Sequence, residues 1–398
     1  MVFGLPTWLL VIPVLGSLIF VHELGHFVTA KWFGIKVTEF GFGFPPRIFG
    51  IRHGETVYSI NWLPLGGFVK MVGEEDPTEP RSFARQSVIK RVVVLTAGSV
   101  VNLLVPIIIF AILFMLPQDT LVESVVITNV DPGSPAEAAS LRAGDTILRV
   151  DGHRVDNRGD VQLQVLTKLG ETIELTVRRG AIVTGLGSSQ EFAVVEIVPV
   201  HARLNPPSRE VVAEVTDSET QVSLEEARRL IPELNLGEEL RQGSVGIWMG
   251  AGTQKITERN YPIWSAVPMS LGRVRDVVVI FKNVLERWLA GGPDPGFRGP
   301  VGVSQITGEV AKIGISPVFE VVALLSISLG IVNILPIPAL DGGRLMFVLL
   351  EWVRRGKRVS PEREGLVHLA GFAILISFMV FMSYRDIVHL LNGDSILR

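Results

Sequence analysis

Val21-His22-Glu23-Leu24-Gly25-His26 lies in the second half of a long apolar run. Upstream, Trp8 to Val21 hold no ionisable side chain, and Phe27-Val28-Thr29-Ala30 follow. About 20 mostly apolar residues cross the hydrocarbon of a bilayer, so residues 6–30 read as a membrane-spanning helix. Ionisable groups at that depth are costly and mark function. His22 and His26 are four apart, which puts both imidazoles on one helix face. Two neutral imidazoles so placed can grip one Zn²⁺. Glu23 stands beside such a metal, where it can take a proton from an attacking water. Gly25 leaves room for substrate or for another helix. The plainer reading is a helix whose His and Glu only pair with a neighbouring helix.

The remainder of the composition sets the frame. The chain has 398 residues, 47% of them hydrophobic, and a mean hydropathy of +0.40. That balance predicts a membrane domain joined to a soluble one. A net charge of −3 gives no reason to expect nucleic acid as a partner. With no cysteine in the chain, disulfides and thiolate ligands are excluded, so a metal must use His, Asp or Glu. No Lys or Arg precedes the first apolar run, which predicts a retained span rather than a cleaved signal peptide.

Beyond the first span, residues 31–91 form a basic, polar connection. Arg47 to Arg52 and Thr56 to Trp62 read as strands joined at His53-Gly54-Glu55. Their Phe, Ile and Trp content predicts a membrane-associated β-hairpin beside the site, an ordinary cytoplasmic hairpin being the alternative. Because a sheet edge cannot face lipid, this one must lie against protein or line a cavity, where it can pair with an extended substrate. Residues 92–117 form the second span. Its Asn102 is either helix–helix glue or substrate-facing.

From 119 to 200 the pattern changes to short alternating strands and turns. Strands are expected over 122–130, 146–150, 172–178 and 191–198, with helices from Pro135 and over 161–169. The run from Gly133 to Gly152 closely resembles a PDZ domain, a fold that binds extended chain ends by strand addition. Residues 201–245 read as an insertion containing a helix capped by Ser223 and Glu226, followed by a strand over 244–249. An amphipathic helix over 263–290 lies either on the membrane surface or on the soluble domain.

Residues 317–340 form the third span. Its end, Asn333-Ile-Leu-Pro336-Ile-Pro338-Ala-Leu340-Asp341-Gly342-Gly343, breaks the helix deep in the membrane, which is tolerated where the backbone lines a site. A catalytic zinc needs three protein ligands and an open position. Asp341 is the candidate third ligand; the alternative is a carboxylate that only ends a helix. A basic loop over 344–363 and a fourth span over 366–382 complete the chain. The positive-inside rule puts both basic loops in the cytoplasm and the PDZ region outside.

These motifs resemble the site-2 protease family of intramembrane zinc metalloproteases, specifically its bacterial RseP-like branch. The resemblance rests on His22-Glu23-Leu24-Gly25-His26, Gly66-Gly67-Phe68-Val69-Lys70-Met71, the PDZ-like run, Gly299-Pro300-Val301-Gly302, and the Asn333 to Gly343 stretch. It implies a polytopic α-helical membrane protein with four transmembrane helices, a membrane-associated β-hairpin and an inserted α+β PDZ domain. The divisions are 1–118, 119–250, 251–316 and 317–398. It further implies Zn²⁺ held by His22, His26 and Asp341, Glu23 as catalytic acid/base, and Asn333 as a substrate contact. Asn102 is a further candidate contact, although Gly98-Ser99 stands where the family pattern has Gly-Pro. The implied partners are the lipid bilayer and a transmembrane protein substrate already trimmed outside by another protease, in a multi-pass protein of the bacterial inner membrane. Anti-sigma factors and leftover signal peptides are examples of such substrates. A catalytically silent scaffold acting through its PDZ domain is the alternative. A zinc transporter would need more polar residues along spans two and four.

Overall fold

The computed structural model describes residues 7–74, 76–185, 188–217 and 220–391. They cluster into two compact units. The first takes the chain up to Met115, Tyr261–Val278 and the chain from Gly296 onward; the second takes Leu116–Asn260 and Val279–Pro295.

In the first unit, α1 (Val11–Trp32) follows a short 3₁₀ turn. Pro6, where the first span was expected to begin, lies outside the described residues. Pro13 falls in the opening turn of α1, where a missing N–H costs nothing. Next come β1 (Val37–His53) and β2 (Thr56–Met71), so the hairpin is far longer than the two six- or seven-residue strands expected. Its tip is where the sequence put it, at Gly54-Glu55. Each long strand, however, folds back within itself. Segment 37–44 pairs with 67–71 on one side (Phe42 with Gly67) and with 57–63 on the other (Phe42 with Ile60), while 47–53 pairs with 56–61. The spatial order is therefore 47–53, 56–61, 37–44, 67–71, and the two free edges are 47–53 and 67–71. This sheet is pinned to α1. A Cβ on Gly66 would stand 2.7 Å from Ile19 Cγ2, and one on Gly16 would stand 2.9 Å from Pro64 O. Then α2 (Val88–Met115) crosses back.

The second unit is β-rich. Its strands and helices run β3 (Gln118–Val130), α3 (Pro135–Ala138), β4 (Thr146–Val150), β5 (His153–Arg154), α4 (Arg158–Thr167), β6 (Thr172–Gly185) and β7 (Ser188–His201). They continue β8 (Ser208–Val212), β9 (Gln221–Ser223), α5 (Leu224–Leu230), β10 (Glu239–Arg241) and β11 (Ile247–Arg259). The main sheet has the order β11-β3-β4-β6-β7, with β5 on β4, and a small sheet has the order β10-β8-β9. Alternate residues of the central strands (Val125, Ile127; Ile173, Leu175, Val177) face one buried core, as period-2 patterning requires. The Ser223 Oγ accepts from the Glu226 N–H at 3.2 Å, which is the cap expected at α5. Arg209 and Asp131, both fully buried, pair at 2.9 Å and tie the small sheet to the large one.

α6 (Ile263–Leu289) is shared between the units. Val274, Val277 and Val278 pack with Phe110, Leu113, Ala323 and Ile327, and Asn283 Nδ2 donates to Leu166 O at 2.9 Å. Both halves of this helix are therefore packed on protein. α7 (Pro300–Ile313) was expected as linker; Pro300 at its first position after Gly299 is the start signal. Asp386 Oδ2 receives the Gly302 N–H at 2.8 Å and holds that end. α8 (Ile315–Ile334), α9 (Asp341–Val353) and α10 (Pro361–Leu391) follow. The third span thus stops at Ile334, not 340, because Leu335 to Leu340 leave the helix. Half of the expected basic loop is α9: five arginines and a lysine over 344–363 obscure the apolar run Leu345 to Leu350.

Among the described residues four helices, α1, α2, α8 and α10, are long and apolar enough to cross a bilayer. On α10, Leu369, Phe372, Ile374, Val380 and Phe381 point outward. An apolar surface of that extent on a long helix is what hydrocarbon covers.

Candidate metal centre

Among the described residues one cluster of His and carboxylate groups brings its ligand atoms together: His22, His26 and Asp341, all within 4.8 Å of one another. His22 Nε2 stands 2.9 Å from Asp341 Oδ2, His26 Nε2 stands 3.1 Å from it, and the two Nε2 atoms are 3.1 Å apart. Tetrahedral bonds of about 2.0–2.1 Å place donors roughly 3.3 Å apart, so the three atoms stand close to zinc-ligand spacing.

The cradle is built by α2. Val94, Gly98 and Asn102 recur at intervals of four and so share one face. The Val94 carbonyl, an acceptor only, lies 2.7 Å from His26 Nδ1. Nδ1 therefore carries the proton, and Nε2 keeps its lone pair for a metal. At Gly98 an added Cβ would stand 2.5 Å from His26 Nε2 and 2.6 Å from His22 Nε2, so only glycine admits both rings. Asn102, with no exposed surface, sets its side-chain amide 3.2 Å from His22 Nδ1. Close approach of α1 to α2 depends on Gly25, whose Cβ would meet Ala97 O at 2.7 Å. The donor set, its lone pairs and the glycine-lined space all fit zinc.

Asp341 reaches the site because α8 breaks. Pro336 and Pro338 lack N–H groups, and Ala339 turns left-handed at φ 78°. The Ala339 N–H donates to His368 Nδ1 of α10 at 2.9 Å. Asp341 then opens α9, where the helix N-terminus favours a carboxylate. Gly342 and Gly343 pack too tightly on the Leu335 and Ile337 carbonyls to carry a side chain.

Glu23, His26 and Asp341 share a cavity of about 330 Å³ whose facing wall is Phe68, Val69, Lys70 and Met71 of β2. The edge next to the site is therefore 67–71, not 47–53. Arg344 and Glu74, paired at 2.8 Å, stand in the same cavity. Below it, Arg91 and Arg358 share Glu351 at 2.8 and 3.1 Å and bind the end of α9 to α2. Asn333 is half-buried in the last turn of α8 and is not among the residues lining the cavity. Sequence reading missed Val94, Gly98 and His368. The first acts through its backbone, which leaves no residue-type signal. Gly98 stands out in the sequence only in the Gly98-Ser99 pair, and His368, the one ionisable side chain in the expected fourth span, is the visible clue.

Comparison with known proteins agrees with this geometry. The pattern of peptidase family M50 matches residues 10–378. A relative from Clostridium acetobutylicum, provisionally named a zinc metalloprotease, is 29% identical over 95% of this chain and 96% of its own length. Similarly named relatives from Clostridium perfringens and Rhizobium meliloti are each 30% identical, over 94% and 97% of this chain and 96% of their own lengths. With four membrane-length helices around a His-His-Asp cluster and the family pattern running nearly end to end, the chain belongs to peptidase family M50, the site-2 protease family, and is a zinc metalloprotease of the membrane.

Proposed function

We propose that the protein hydrolyses peptide bonds within the transmembrane segments of membrane proteins, in regulated intramembrane proteolysis. The observation that carries this reading is the His22–His26–Asp341 cluster, buried among membrane-length helices beside Glu23 and a free strand edge. His22, His26 and Asp341 hold the metal. When bound, zinc supplies Lewis-acid activation of water and of the scissile carbonyl. Glu23 takes a proton from the attacking water and passes it to the departing amine nitrogen. A helical substrate hides its carbonyls, so it must be drawn out; main-chain pairing with the 67–71 edge holds it extended alongside the cavity. Asn333 contacts substrate backbone from the end of α8.

The β-rich unit serves as a PDZ-type filter, admitting chains already trimmed outside. A groove of about 290 Å³ between α4 and β11, lined by Val161, Val165, Gly243 and Ile247, suits an extended chain end. The excess of Lys and Arg over 31–91 and 344–363 supports a cytoplasmic position for both segments, and so a bacterial inner-membrane protein with the β-rich unit outside.

The test is cleavage of a model single-span substrate in detergent by the wild type, by Glu23→Gln and by chelator-treated enzyme. Cleavage by the untreated wild type alone is expected. Equal cleavage by Glu23→Gln would remove Glu23 from the mechanism, and cleavage that survives the chelator would remove the metal from it. Deleting 122–250 should widen the range of substrates cut; unchanged selectivity would end the filter assignment.

A further inference from the structure

Asn102 stands behind the metal ligands rather than in the cavity. It is fully buried in the middle of α2, and its amide lies 3.2 Å from His22 Nδ1, on the far side of the ring from Asp341. The residue is also held still. Pro106, four positions on, has no N–H to offer the Asn102 carbonyl, and Ser326 Oγ of α8 donates to that carbonyl instead, at 2.7 Å. One side-chain atom is left over. With its nitrogen toward His22, the amide leaves Oδ1 buried and without a hydrogen-bond partner. A buried unmet carbonyl is expensive.

Whichever way the amide faces, one of its two ends lacks a partner, and the chemistry of the ring decides which end meets His22. A neutral imidazole carries one N–H and one lone pair. His22 Nε2 points at the ligand cluster, so its lone pair belongs there and Nδ1 must carry the proton. An N–H at Nδ1 needs an acceptor. The amide oxygen and nitrogen occupy nearly the same shape, and a half-turn of the amide brings the unmet Oδ1 to Nδ1. His26 already has this arrangement, with the Val94 carbonyl at its Nδ1.

We infer that Asn102 is a positioning residue for zinc, whose side-chain carbonyl accepts the His22 Nδ1–H and so fixes the ring with Nε2 toward the metal. The inference rests on the metal assignment proposed above. It places Asn102 behind the ligands and gives it no contact with substrate. Ligands held by such partners lose about 10- to 100-fold in metal affinity when the partner is removed.

The test measures zinc affinity by chelator competition on the purified full-length protein, with visible absorption of the Co²⁺-loaded form as a second readout. Wild type is compared with Asn102→Asp, which can accept but not donate, and with Asn102→Leu, which can do neither. The expected result is near-wild-type affinity and spectrum for Asn102→Asp, and a ~10- to 100-fold weaker, spectrally altered site in Asn102→Leu. Thermal midpoints of the metal-stripped proteins separate this loss from misfolding. Equal affinity in wild type and Asn102→Leu overturns the inference. So does an Asp variant as weak as the Leu variant, since the amide would then act as a donor or by packing. Should Asn102→Leu not fold, the Asp variant decides alone. A wild type that binds no zinc overturns the metal assignment itself, an outcome distinct from any difference between variants.

Discussion

Gly98→Ala adds one methyl group, and the structure says where it goes. The new Cβ would stand 2.5 Å from His26 Nε2 and 2.6 Å from His22 Nε2, against about 3.4 Å for ordinary contact. One or both rings must retreat by about 0.8–0.9 Å, or α2 must move off α1. The second route opens the close packing of Gly25 on the Ala97 carbonyl and stretches the bond from His26 Nδ1 to the Val94 carbonyl, so it too disturbs the histidines. Zinc tolerates about 0.2 Å in its ligand distances, so the displaced rings lose the metal geometry. A misplacement near 1 Å costs on the order of 100-fold in rate. The helix itself is not harmed, because alanine favours helix over glycine by about 0.8–1.0 kcal/mol. The variant should therefore be as helical as the wild type by circular dichroism, should carry less than a tenth of the zinc by elemental analysis, and should cut a single-span substrate about 100-fold more slowly. A variant with one zinc per chain and full activity would refute the reasoning.

Three further outcomes follow from particular contacts. Glu351→Gln leaves Arg91, 5% exposed, without its counter-charge, which should cost about 3–5 kcal/mol; an unchanged thermal midpoint of the detergent-solubilised protein would contradict this. At the hairpin tip, hydrogen bonds from Arg81 and then Lys31 hold the Glu55 carboxyl down to about 2 from 4.5. A pKa lower in the folded than in the unfolded state stabilises above about pH 4.5, and that contribution fades as pH falls toward 2; hydrogen-exchange protection over 47–62, relative to the intrinsic rate at each pH, should fall across that window in the wild type and stay flat in Glu55→Gln. His368→Leu removes the acceptor for the Ala339 N–H and should loosen the turn before Asp341, weakening zinc by roughly 10-fold at about 1–3 kcal/mol for a buried unmet donor; wild-type zinc affinity would show that the turn holds its shape without it.

Much of the site was legible because the chemistry needs side chains that membrane helices otherwise avoid. His22, Glu23 and His26 stand out in a run without other ionisable groups, and the two prolines before Asp341 announce the broken backbone. What stayed hidden was carried by groups with no sequence signature. The Val94 carbonyl could be any residue's. The sheet over 37–71 was undercounted because its pairing joins 37–44 to both 57–63 and 67–71, and no local pattern records a strand with two partners. Two helices were passed over for a similar reason. α9 carries its apolar residues between charges that read as a loop, and α7 shows mainly a Gly-Pro start. In the β-rich unit, where alternation is local and one face is solvated, strand 146–150 was read to the residue.

The glycines that press β2 onto α1 have a consequence for where a substrate is cut. Gly16 and Gly66 leave no slack between the sheet and the helix that carries His22 and His26, so the 67–71 edge and the histidines move as one body. An extended chain advances about 3.3 Å per residue. A substrate strand laid on that edge is therefore measured as if by a ruler, with the scissile bond a fixed number of residues from the point where pairing starts. Lengthening a substrate on one side of its first paired residue should shift the cut by whole residues, whatever side chains stand there.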